Sequence, residues 1–103
     1  MPLEKIRKRD GSVVPFEPAK IATAIRKAIE AVGEGEPSQA EELTRAVTGK
    51  LEERFVRDIP TVEEVQDLVE ETLIAQGLPR TAKSYILYRE RRAEIRRTKD
   101  FIG

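Results

Sequence analysis

Ile6-Arg7-Lys8-Arg9-Asp10-Gly11-Ser12-Val13-Val14-Pro15-Phe16 is a basic strand, a tight turn and an apolar strand, and it runs directly into Glu17-Pro18-Ala19-Lys20-Ile21, which opens a helix. Asp-Gly between strand-forming residues is a strong signal for a two-residue hairpin turn. In that register Arg9 faces Ser12, Lys8 faces Val13 and Ile6 faces Pro15. Side chains alternate along a strand, which puts Ile6 and Lys8 on one face and Arg7 and Arg9 on the other. Pro15 cannot donate to a ladder, so the second strand is an edge or ends there. A lone hairpin is marginal in water, so this one must pack on helices or pair with a further strand. Cations fixed near one short hairpin suit a polyanion such as a nucleoside triphosphate.

Downstream of the hairpin the period changes from two to that of a helix. Pro18 suits a first helical position with Glu17 before it, and Ile21, Ile25, Ala28, Ile29 and Val32 follow at helical spacing until Gly33 ends the run. Gly33-Glu34-Gly35-Glu36-Pro37 is a connector. Ser38 with Glu41 predicts a capping box, followed by a stripe of Ala40, Leu43, Val47, Leu51 and Phe55 that Gly49 interrupts. Thr61 with Glu64 predicts a second capping box, before Val62, Val65, Val69 and Leu73, and Gly77 closes that helix. Pro79 starts a fourth helix through Ala82, Tyr85, Ile86 and Tyr88 toward Ile95. Short loops between amphipathic helices imply antiparallel neighbours. The expected fold is α+β, mainly α: a four-helix bundle capped by a small β-hairpin or three-stranded sheet. The domain is expected over 1–97, with 98–103 a tail or the start of a linker.

Composition narrows the chemistry. The 103 residues form one domain with a modest core, and 37% charged with 39% apolar residues fits a helical globule because the apolar residues are periodic. Cysteine is absent, which removes disulfides, thiolate metal sites and thiyl chemistry, and histidine is absent too, which removes the commonest general base. The acidic pairs Glu41-Glu42, Glu52-Glu53, Glu63-Glu64 and Glu70-Glu71 lie on polar helix faces and read as solvated. A catalytic role is not expected. No apolar run approaches a membrane span and no signal-peptide pattern opens the chain, so a cytoplasmic protein is expected.

Net charge is zero, but it is unevenly spread: both ends are basic and the middle is acidic. If the two basic ends fold onto one place, they make a positive site in a neutral protein. In the last helix Tyr85, Arg89, Arg92 and Arg96 share a face, while Lys83 and Arg91 point elsewhere. Such a stripe can hold phosphates through planar guanidinium groups, or it can pair with the acidic helices as an ordinary surface. Lys20 opposes the dipole in the first turn of its helix, which makes most sense if an anion joins it. Neither Gly-x-x-x-x-Gly-Lys-Ser/Thr nor Gly-x-Gly-x-x-Gly occurs, so a nucleotide would be held by side chains and hairpin backbone rather than by a P-loop.

Four blocks occur in a set order: Lys8-Arg9-Asp10-Gly11, then Val14-Pro15-Phe16-Glu17 with Lys20-Ile21, then Ile59 to Glu70, then Ala82-Lys83-Ser84-Tyr85-Ile86-Leu87-Tyr88-Arg89. Together they resemble the ATP-cone domain, the regulatory nucleotide-binding module at the N-terminus of many ribonucleotide reductases, over roughly residues 4 to 93. The segment from Tyr85 to Arg97 looks most like the junction in reductases of the cobalamin-dependent or anaerobic type. The resemblance implies ATP or dATP bound between cap and bundle. Ile6 would touch the base or sugar. Lys8 and Arg9 would reach phosphates, joined by Lys20 with Ile21 beside it. Thr61 or Val62, with Gln66, would line the nucleotide, and Arg89 and Arg92 would complete the phosphate side. Val14 stands where some members carry a glutamate, and Gln66 where some carry a histidine. Mg2+ can accompany the triphosphate, with no protein ligand for it evident.

The expected partner is a ribonucleotide reductase catalytic domain or subunit, with homo-oligomerisation open. Reductase chemistry needs a cysteine radical, so the chain is expected to be an excised regulatory domain or a free-standing cone. Two other readings compete. A nucleic-acid-binding module would use the basic ends, against zero net charge and few aromatics. A helical module, or a degenerate cone, would act in protein contacts alone.

Overall fold

Residues 3–102 are described in a computed structural model, with the side chains of 93, 94 and 96–102 outside the description. The order of elements is β1 (Lys5–Arg7), β2 (Val13–Pro15), α1 (Pro18–Val32), α2 (Gln39–Arg54), α3 (Val62–Ala75) and α4 (Pro79–Ile102). Each helix packs on the next in sequence, and α1 packs on α4, which closes the ring of the bundle. The fold is mainly α with a small antiparallel hairpin.

The apolar stripes meet inside that ring. Ile25 and Ile29 of α1, Val47 and Leu51 of α2, and Val69 and Leu73 of α3 are at most 1% exposed. Each such side chain stabilises the fold by about 1.5–3 kcal/mol relative to an exposed position. Tyr85 of α4 belongs to the same core, and burial pushes its phenol above its ordinary pKa. Buried threonines return their hydroxyl protons to their own helices: Thr44 Oγ1 donates to the Ala40 carbonyl at 2.7 Å and Thr72 Oγ1 to Leu68 at 2.8 Å. α1 ends as its sequence predicts, with Gly33 at φ 65° donating its N–H to the Ile29 carbonyl.

Two local expectations are corrected. The hairpin register pairs Lys5 with Pro15, Ile6 with Val14 and Arg7 with Val13, one residue away from that of a two-residue turn. Lys8 accordingly pairs with Ser12 rather than Val13, and Arg9 lies in the loop. The turn holds Arg9, Asp10 and Gly11, closed by Gly11 N–H to the Lys8 carbonyl (2.9 Å) and Lys8 N–H to the Ser12 carbonyl (2.8 Å). Gly11 takes φ 88° as the last residue of that loop, the usual solution for a three-residue hairpin. Asp10 Oδ1 drives the choice by accepting from both the backbone N–H (2.9 Å) and the hydroxyl (2.6 Å) of Ser12.

The second correction concerns α2. Ser38 has helical dihedrals (φ −64°, ψ −19°) and makes no capping bond, so the expected box with Glu41 does not form. The chain turns earlier. Gln39 N–H donates to the Glu36 carbonyl, Ala40 N–H to Pro37, and the Gln39 side chain accepts from Glu36 N–H at 2.8 Å. At α3 the expected box is complete: Thr61 Oγ1 accepts from Glu64 N–H at 3.1 Å, and Glu64 Oε1 accepts from Thr61 N–H at 3.0 Å.

The hairpin is tied to the bundle rather than standing free. Arg7 N–H donates to the Pro60 carbonyl at 2.9 Å, giving a single parallel bridge between Arg7 and Thr61. Leu3 N–H donates to Glu52 of α2 at 3.1 Å, and Leu3, Ile6 and Phe16 pack against the core. The sheet is thus two-stranded, and the bridge occupies the place of a third strand. The boundary expected between residues 97 and 98 falls within α4, where side chains lie outside the described residues.

Candidate functional site

The backbone bridge at Arg7 sets the hairpin turn beside the first turn of α3. There Arg9 Nε donates to Glu63 Oε1 at 2.6 Å. From the other side, Arg89 of α4 reaches Asp67 at 3.2 Å and also contacts Glu70. Glu63, Asp67 and Glu70 follow at intervals of four and three, so they share one face of α3. The hairpin, α3 and α4 therefore contribute to one polar flank, with the carboxylates as its spine.

The proximity of these groups sets their electrostatics. The Arg9 hydrogen bond holds the Glu63 carboxyl below its ordinary pKa against a smaller opposing effect of burial, and the charge of Arg89 contributes in the same direction. Burial acts to lower the Arg89 pKa, but its bonds to Glu70 and Asp67 outweigh this and raise it. Hydrogen bonds from Ser12 hold Asp10 below its ordinary value, helped by the neighbouring charge of Lys8.

Among the expected site residues, Arg9 and Arg89 lie on this flank. Thr61 lies beside it through the bridge to Arg7, and its hydroxyl already accepts the capping bond. Val62 and Gln66 are half-buried in the first turns of α3. Ile6 and Ile21 are half-buried and pack on the core. Lys8 and Arg92 are exposed. Lys20 pairs with Glu17, at the N-cap of its own helix, at 2.8 Å; the anion that tempers its place in the first turn is thus local. Among the described residues no side-chain hydrogen bond or ion pair joins Lys8, Lys20 or Arg92 to the Arg9–Glu63 pair. Tyr85, the aromatic at the head of the arginine stripe, is a core residue, and the Arg96 side chain lies outside the described residues.

Glu63 and Glu70 belong to acidic pairs that the sequence presents as a solvated face, and it does not single out Asp67. Their signal is the shared α3 face, spaced to match guanidinium groups from neighbouring elements. A separate cavity of about 330 Å3 lies between the start of β1, the end of α2 and the following loop, lined by Leu3, Phe55, Val56 and Ile59 with Lys5 and Glu52 among its polar residues. None of the expected site residues lines it.

Among the described residues no group of three or more His, Cys, Asp or Glu is placed to hold a metal ion, and no helix is long and apolar enough to cross a membrane.

Residues 4–94 match the family model described as the ATP cone domain. The chain is 42% identical over 106 residues to the vitamin B12-dependent ribonucleoside-diphosphate reductase of Thermoplasma acidophilum, covering 98% of this chain and 13% of that protein. It is 40% identical over 99 residues to the enzyme of the same name from Mycobacterium tuberculosis, covering 96% of this chain and 14% of that one. Against the anaerobic ribonucleoside-triphosphate reductase of Haemophilus influenzae the identity is 34% over 85 residues, covering 82% and 12% respectively. The chain thus spans roughly an eighth of the length of these relatives.

Proposed function

The chain belongs to the ATP cone domain family, and from that premise we propose that it is a non-catalytic regulatory domain that binds ATP or dATP as an effector of a ribonucleotide reductase. The observation that carries the reading is the polar flank. A cationic hairpin turn is docked by a backbone bond beside the start of α3, and a guanidinium from α4 reaches the same helix. In this reading phosphates are held by side chains of these elements and by the hairpin rather than by a P-loop. In this proposal Lys8, Arg9, Lys20, Arg89 and Arg92 serve the triphosphate. Ile6, Ile21, Thr61, Val62 and Gln66 line the base and sugar. Any Mg2+ arrives on the triphosphate.

The partner in this proposal is the catalytic region of a reductase in the cytoplasm. An effector shifts such a partner's equilibrium only by its differential affinity for the two states. ATP and dATP differ by one hydroxyl, so discrimination between them needs a polar contact or altered packing at the ribose.

Titration calorimetry of the purified chain with ATP and dATP at two salt concentrations tests the reading. Saturable binding at fixed stoichiometry is expected, and Lys8→Ala and Arg89→Ala each weaken it by about tenfold or more, as for loss of a charge-assisted hydrogen bond. Absence of binding by the unmodified chain would leave a cone that acts through protein contacts alone. Unchanged affinity in both variants would overturn the phosphate assignment.

A further inference from the structure

We propose that Glu63 is an intramolecular competitor for the phosphate-binding arginine of the hairpin, so that effector binding is an exchange of carboxylate for phosphate on Arg9. The inference rests on the nucleotide reading given above and adds a residue that sets the affinity of that site. Its basis is the 2.6 Å bond between Arg9 Nε and Glu63 Oε1. A guanidinium with its Nε committed to a carboxylate cannot present the same edge to a phosphate, because its donors lie in a fixed planar fork.

The charge balance shows why this matters. The expected phosphate side has the cations Lys8, Arg9, Lys20, Arg89 and Arg92. Against them stand Glu17, Glu63, Asp67 and Glu70, each already paired with one of these groups. Counted over the expected phosphate-side residues, five cations face four paired carboxylates, so little positive charge is left over for a phosphate while the pairs hold.

The pairs differ in how readily they can do so. The Glu63 side chain is 36% exposed and that of Arg9 is 69% exposed, so Glu63 can return to water with little desolvation to recover. Glu70 and Arg89 are each only 19% exposed, and parting them would strand a half-buried charge. Exchange is therefore assigned to the hairpin end of the flank, with the Arg89 end held in place. The exchange leaves the guanidinium paired throughout, first with a carboxylate and then with a phosphate.

The test is a double-mutant cycle of Glu63→Gln and Arg9→Ala, read as ATP affinity by calorimetry at constant pH and salt. Glu63→Gln is expected to tighten ATP binding by about two- to fivefold, the reciprocal of an exposed ion pair's strength. In the Arg9→Ala background the same change is expected to have much less effect. Glu53→Gln, which alters net charge equally on an exposed position of α2, is expected to leave affinity within about twofold. Unchanged or weaker binding by Glu63→Gln would overturn the competition, as would an equal gain in the Arg9→Ala background. If neither the unmodified chain nor Glu63→Gln binds ATP, the nucleotide reading itself is overturned. Binding by Glu63→Gln alone would support the exchange.

Discussion

The interior of the bundle and the polar flank along α3 are built by different rules. Ile29, Leu51 and Leu73 are buried because each sits on the apolar face of its own helix. Arg9, Glu63, Asp67 and Arg89 are where they are because a partner on another element meets them. Burial stabilises by about 1.5–3 kcal/mol per large side chain, whereas an exposed ion pair contributes about 0–1 kcal/mol. The interior therefore holds the frame, and the exposed end of the flank can change partners without unfolding it.

The largest expected effect tests that division directly. Leu51 is fully buried, so Leu51→Ala should destabilise by about 2–5 kcal/mol through lost transfer energy and a residual cavity. In a domain of this size that lowers Tm by about 10 °C or more. Arg89→Ala should cost about 1–2 kcal/mol, since it leaves the half-buried Glu70 without its partner. Denaturant unfolding of both variants decides the matter. Equal losses would make the flank part of the frame and remove the distinction.

A middle-sized effect separates polar contacts that are local from those that are not. Thr61 and Ser38 both precede a glutamate by three residues, but the capping box forms at Thr61 alone. Thr61→Ala should cost about 1 kcal/mol, with Ser38→Ala within about 0.5 kcal/mol of no effect. The difference lies in the backbone. Thr61 is extended at ψ 160°, so its oxygen can turn back to the Glu64 N–H, whereas Ser38 already lies in the helical turn that Pro37 begins. A large loss at Ser38 would break this account of α2.

Those two helix starts mark how far the sequence is legible. Apolar spacing, Gly33 after α1 and Gly77 after α3 are local signals, and the helices follow them. The hairpin was legible as a hairpin, but its register depended on how Asp10 bonds to Ser12, a choice between turns that Asp-Gly alone does not make. Of the flank, the arginines were legible as candidates because cations at a hairpin and along one helix face suit a phosphate. Their carboxylate partners were not, because Glu63 resembles any other acidic residue on a polar face until the hairpin lands beside it. The alternative of an arginine stripe paired with acidic helices is realised at Arg89.

The smallest expected effect is the one that most sharply tests the contact on which the flank depends. The hydrogen bond from Arg9 is the main reason that the Glu63 carboxyl lies below its ordinary pKa of 4.5, with burial opposing it and the Arg89 charge assisting weakly. A carboxylate whose pKa is depressed on folding stabilises the native state above its unfolded value, and that contribution is lost as pH falls through the folded value. Because the pair is exposed, the stability at stake is at most about 0.5 kcal/mol, too little to resolve against the protonation of the other carboxylates in a global acid unfolding. The side-chain carbon resonance of Glu63, followed by NMR from neutral pH downward, isolates it. The midpoint should lie below 4.5 in the unmodified chain, return most of the way toward that value in Arg9→Ala, and move only slightly in Arg89→Ala. A midpoint that ignores Arg9 would mean that the turn does not hold its guanidinium against α3 in solution, and the two ends of the flank would then have to be treated as separate surfaces.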